Sequence, residues 1–195
     1  MSKGFGIAAA VLGGALCAAL VPVPRASAQE PGFTPIPVIK GVKSLEAGLA
    51  APDFTVKDLD GKTYSFAAER TARAHLLVFW SIFCEPCREE MPVIQRIADE
   101  YKAAGTLEVL AVNMDGQPFI DGIKGFLRQY KYNVRVILDE LDARGEMFAI
   151  ADPFQVAGTP VIYLVDASGK VAGSHLGRIG EADLRAMIAR MLTAN

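Results

Sequence analysis

The sequence predicts an α/β fold in which a mixed sheet carries helices on both faces. Three observations lead there. His75 to Trp80 is a continuous apolar run, as a buried central strand requires. From Pro86 to Leu138 apolar residues fall alternately at helical spacing and in short strand-like runs. Two turn dipeptides, Asp60-Gly61 and Ser168-Gly169, sit between alternating segments and mark hairpins near each end.

In chain order, Lys3 supplies a positive charge, Gly4 to Val21 is small and apolar, and Ala26-Ser27-Ala28 has the form of a cleavage site. Residues 1–28 are therefore expected to be an export signal, with an uncleaved membrane anchor as the rival reading. Pro22 and Pro24 end any helix there. Residues 29–50, with Pro31, Pro35 and Pro37, read as an extended linker. The domain is expected to span 51–195.

Within it, Asp53 to Val56 and Thr63 to Phe66 form the first hairpin, and His75 to Trp80 the central strand. Met91, Ile94, Ile97, Ala98 and Tyr101 share a helical stripe that Gly105 closes, with Pro92 expected to kink it. Leu107 to Val112 is a strand. Phe119, Ile123, Phe126, Leu127 and Tyr130 make a second stripe, and Val134 to Leu138 another strand. A short helix is expected around Ala143 to Ile150. Val161 to Val165 and Lys170 to Ser174 form the second hairpin, and Leu184, Met187, Ile188 and Met191 a closing helix.

The 195 residues are 51% hydrophobic and 22% charged, enough for one domain with a true core. The formal charge is −2 and no long basic run occurs, which argues against nucleic acid as a partner. Of the three cysteines, Cys17 lies in the signal, where Gly14 and Leu16 do not suit lipidation. The mature chain then holds only Cys84 and Cys87. A disulfide closing so small a loop removes little chain entropy and makes a poor staple.

The placement of Cys84-Glu85-Pro86-Cys87 points to chemistry instead. It follows a buried strand and opens a helix, where unpaired N–H groups and the helix dipole favour a thiolate. Cys84 is expected to be the exposed sulfur that attacks a disulfide. Cys87, one turn in, is expected to be shielded and to resolve the mixed disulfide. Glu85 and Glu90 oppose the thiolate while Arg88 favours it, which suits a reductant better than an oxidant. Pro86 sits between the sulfurs. Glu90 shares a helix face with Cys87 and, if partly buried, can exchange a proton with it; the plainer alternative is that the acids only complement the helix start. Gly158-Thr159-Pro160 leads into a strand. A cis bond there would offer the Thr159 backbone to a substrate chain; an ordinary trans proline at a strand entry is the commoner case, and the spacing alone does not select cis.

Ala51-Pro52-Asp53-Phe54, Asp60-Gly61, Phe79-Trp80, the Cys84–Cys87 motif, Pro92 and Gly158-Thr159-Pro160 together resemble the exported thioredoxin-like disulfide reductases of the TlpA/ResA family. The resemblance covers residues 51–195. It implies a thioredoxin fold with a helix-strand insert before a cis-proline; 73 positions separate Cys87 from Pro160, room for Phe119 to Leu138 to be that insert. It implies Cys84 as nucleophile, Cys87 as resolving thiol, Glu90 as the active-site acid and a cis bond at Pro160. Val78 stands where cytosolic thioredoxins carry a buried Asp, leaving Glu90 as the nearest acid.

Substrate contacts are expected from Thr159, Pro160, Phe83 and Trp80. Phe83 departs from the family's Trp, and Phe154 from its common Tyr. The likeness further implies a periplasmic monomer with no cofactor beyond a redox-active Cys84–Cys87 disulfide. Its clients would be protein disulfides such as apocytochrome c haem-attachment cysteines or copper-site thiols, and a membrane thiol-disulfide reductase would supply the electrons.

Three rivals stand beside this reading. A copper chaperone could use both sulfurs and His175, although two cysteines with His75 and His175 far off supply only half a zinc site. A thiol peroxidase shares the Ala51 to Phe54 opening, and Ser81 lies three before Cys84, but Leu77 stands where the loop-shaping proline is expected. A structural disulfide in a binding module is the third.

Overall fold

The computed structural model describes residues 44–70, 73–142 and 144–193; the predicted signal, Cys17 and most of the predicted linker lie outside them. The elements are β1 (Thr55–Lys57), β2 (Thr63–Ser65), α1 (Phe66–Glu69), β3 (Ala74–Trp80), α2 (Glu85–Ala104), β4 (Leu107–Asn113), α3 (Ile120–Tyr130), β5 (Arg135–Leu138), β6 (Val161–Val165), β7 (Val171–Leu176) and α4 (Glu181–Thr193). β1 and β2 pair as a separate antiparallel hairpin. The main sheet runs β5-β4-β3-β6-β7, with β3, β4 and β5 mutually parallel and β6 and β7 antiparallel additions. This is the mixed sheet of a thioredoxin fold, and Phe119 to Leu138 supplies the inserted helix and edge strand.

All seven residues of β3 are buried, because both faces of the central strand are covered. Alternation sorts them. Leu76, Val78 and Trp80 meet Met91 and Ile94 of α2, together with apolar residues of α3 and α4. Leu77 and Phe79 point the other way, onto Phe54, Tyr64, Phe66 and Phe154. Helices lie on both faces, but unequally. The three long ones share one face, whereas the second is covered by the hairpin, one-turn α1 and a turn-rich segment ending near Val156.

That segment corrects an expectation: no helix forms from 144 to 150. Asp142 Oδ1 takes the amides of Arg144 and Glu146, and buried Asp139 takes those of Ile150 and Ala151. Side-chain acceptors thus capture the N–H groups that a helix would need. The α3 stripe is also narrower than predicted. Ile123 and Leu127 are buried, while Phe119 and Tyr130 are exposed.

Candidate active site

Parallel pairing of β3 with β4 brings two loops to the same edge of the sheet, one after Trp80 and one after Asn113. The register Phe79↔Val161 places Pro160 opposite the end of β3, and Val161↔Leu176 brings the end of β7 alongside. Four loops therefore converge where α2 begins.

Cys84 is the N-cap of α2, with extended backbone, and its Sγ accepts from the Cys87 amide at 3.3 Å. Pro86 suits this first turn because its missing N–H has no partner to lose there. The helix runs without a break across Pro92 to Ala104, and Gly105 closes it at φ 68°, donating to the Tyr101 carbonyl. Cys84 and Cys87 are joined by a disulfide. Cys84 is half-buried, whereas Cys87 is 2% exposed and packs in the core. One sulfur is reachable and the other lies behind it.

Glu90, one turn beyond Cys87, is buried. Its Oε1 accepts from the Ile179 amide at 2.6 Å, and its Oε2 has no hydrogen-bond partner. Loss of hydration pushes its carboxyl up to about 7, against the lowering effects of the Ile179 amide and the Arg178 charge. Arg178 also pairs with Glu89 at 2.6 Å. Glu85 stays exposed in the first turn. The burial condition set for Glu90 as a proton carrier is met.

The Thr159-Pro160 bond is cis. Pro160 is buried, Thr159 is half-buried, and the Pro160 carbonyl accepts from the Gly177 amide. Phe83 is 66% exposed immediately before Cys84, where a partner can touch it. Trp80 is a correction. Expected at the substrate surface, it is fully buried on the α2 side of β3, 5.6 Å from the Phe126 ring, and cannot contact a substrate. Phe154, in place of a Tyr, is also buried, and the Tyr163 hydroxyl donates to its carbonyl.

Asp115 is a site residue that sequence reasoning missed. Its Oδ1 accepts from the Ser81 hydroxyl at 2.6 Å and its Oδ2 from the Ile82 amide at 2.8 Å and the Asn113 side chain at 2.9 Å. Ser81 Oγ in turn accepts from the Phe83 amide at 3.0 Å. The loop that presents Cys84 is thus clamped to the loop after β4. The only hint was Ser81 near the motif; its partner lies 34 residues away.

Ser81 is therefore a structural anchor here. His75 is buried at the far end of β3 beside Glu108, and the Nε2 of His175 lies 3.1 Å from the Arg178 carbonyl. Among the described residues, no three His, Cys, Asp or Glu side chains are grouped to hold a metal ion.

A thioredoxin sheet carrying a bonded Cys-x-x-Cys at a helix start, beside a cis-proline, defines a thiol–disulfide oxidoreductase. The comparisons agree. The chain belongs to the AhpC/TSA family, whose profile matches residues 47–174, and within it resembles the ResA type. It is similar to the thiol-disulfide oxidoreductase ResA of Bacillus subtilis, 30% identical over 145 residues that cover 74% of this chain and 75% of that protein. ResA of Bacillus thuringiensis subsp. konkukian is 32% identical over 129 residues, 66% of this chain and 69% of the relative. Among solved structures, a Chlorobium tepidum protein assigned as the thiol:disulfide interchange protein DsbE superposes with a TM-score of 0.64. It is 29% identical and covers 76% of this chain and 99% of its own. The TlpA/ResA likeness read from the motifs holds.

Proposed function

We propose that the protein reduces disulfides of exported proteins in the periplasm, with apocytochrome c haem-attachment cysteines or copper-site thiols as its clients. The observation that carries this reading is the unequal exposure of two sulfurs at one helix start. In the reduced protein the Cys84 thiolate attacks one sulfur of the client disulfide and expels the other as a client thiolate, which takes up a proton. Cys87 then attacks Cys84 Sγ, releases the second client thiol and closes the Cys84–Cys87 bond. The client gains two electrons and two protons; the protein loses them. A membrane thiol-disulfide reductase, acting as a dithiol donor, restores the reduced form.

Glu90 accepts the Cys87 proton as Cys87 becomes a nucleophile. A carboxyl raised to about 7 is matched to that task near neutral pH. The acids at the helix start offset part of the dipole's stabilisation of the thiolate, which favours reductant over oxidant behaviour. Export rests on the sequence of residues 1–28, and among the described residues no helix is long and apolar enough to cross a membrane.

Trapping tests the proposal. Cys87→Ser expressed in the native periplasm should hold clients disulfide-linked to Cys84, and the wild type should reduce insulin. No trapped client together with no insulin reduction would sink it.

A further inference from the structure

The rings of Phe83 and Phe119 meet edge to face at 82°, with centroids 5.1 Å apart. Both are exposed, at 66% and 44%. Phe83 comes from the loop before Cys84 and Phe119 from the end of a 3-10 turn, Gln117–Phe119, that opens the inserted helix α3. The stripe that buries Ile123 and Leu127 leaves Phe119 out, so it does not serve the core.

The pair is held rather than loose. Asp115, which begins the second loop, binds Ser81 and Ile82 of the first, and Ser81 binds the Phe83 amide. The Phe119 amide donates to Gly116, whose φ of 70° is a turn geometry that glycine adopts without strain. A polar clamp thus fixes two solvent-facing rings at the rim of the reactive sulfur. Touching, exposed aromatics of this kind are a recognition feature far more than a folding one.

We propose that Phe119 is a specificity residue: with Phe83 it forms a two-ring platform that takes an apolar side chain of the client next to the cysteine under attack. The inference rests on the disulfide-exchange reading above. The occupant is an extended polypeptide, because Cys84 follows Phe83 directly, so a client cysteine seated on Cys84 carries its chain neighbour onto the rings. Charged neighbours would lose hydration there without gaining a partner. The insert then contributes to client choice as well as to the sheet edge.

The test uses two disulfide-closed Cys-x-x-Cys peptides that differ only in a leucine or a serine beside the first cysteine, together with glutathione disulfide. The reduced wild type should reduce the leucine peptide with kcat/KM about tenfold above the serine peptide. Phe119→Ser should collapse that ratio toward about twofold, and Phe119→Leu should recover most of it. Circular dichroism checks that each variant is folded. A wild-type ratio near one, or a ratio unchanged in Phe119→Ser, overturns the platform while reduction of glutathione disulfide leaves the exchange reading standing. Failure of the wild type on all three disulfides removes both.

Discussion

The Ile179 amide donates a 2.6 Å hydrogen bond to one carboxylate oxygen of Glu90, while the other oxygen is buried without a partner. The loop after β7 thus fixes an acid on α2, one turn beyond Cys87, and leaves one of its oxygens idle. Burial raises its carboxyl from 4.5 to about 7.

That shift makes stability depend on pH. Between about 4.5 and 7 the folded protein keeps the Glu90 proton and the unfolded chain has released it, so this contribution is full at low pH and is lost as pH rises through 7. Its size is at most on the order of 3 kcal/mol. The urea midpoint of the wild type should fall between pH 5 and pH 8, and that of Glu90→Gln should fall much less. Parallel slopes in the two proteins would refute the assignment.

Exposure predicts the order of thiol reactivity. In the reduced protein at pH 7, Cys84 should be alkylated by iodoacetamide at least about tenfold faster than Cys87, since a buried thiol is both less accessible and harder to ionise. Peptide mapping after timed quenching reads the ratio, and equal labelling would remove the asymmetry on which the mechanism stands.

Asp115→Ala should cost about 1–3 kcal/mol, because the Ser81 hydroxyl and Ile82 amide lose a charged acceptor. Insulin reduction should slow as well, because the Cys84 loop is no longer held. Chemical denaturation and a turbidity assay measure the two effects. Normal stability with normal turnover would show the clamp to be idle.

Asp139→Ala should destabilise by about 2–4 kcal/mol, leaving the buried Ile150 and Ala151 amides unpaired. Relief of Asp139's own desolvation, which raises its carboxyl above the usual range, offsets part of this. Hydrogen exchange should accelerate at Ile150 and Ala151 while β3 stays protected.

Much of this was legible along the chain. Five apolar residues in a row, Leu76 to Trp80, announced β3, and Gly105 announced the end of α2, because both signals are local. The motif at 84–87 was legible for the same reason: its meaning depends on a strand before it and a helix after it. What escaped was set by distant side chains. Residues 143–150 look helical by composition, yet Asp142 and Asp139 claim amides there. Asp115 reaches back across 34 residues to Ser81, which no window reveals. Trp80 was open to a better reading, since strand alternation from Leu76 and Val78 already assigns it to the packed side.

That same tryptophan has a practical consequence. It is the chain's single indole, sealed in the cluster that also contains Cys87. Every photon of tryptophan emission from this molecule therefore originates in the packed cluster that holds one sulfur of the bridge. Breaking the bridge should brighten that emission, so an unlabelled sample carries its own optical gauge of oxidation, one that Cys84→Ser would freeze.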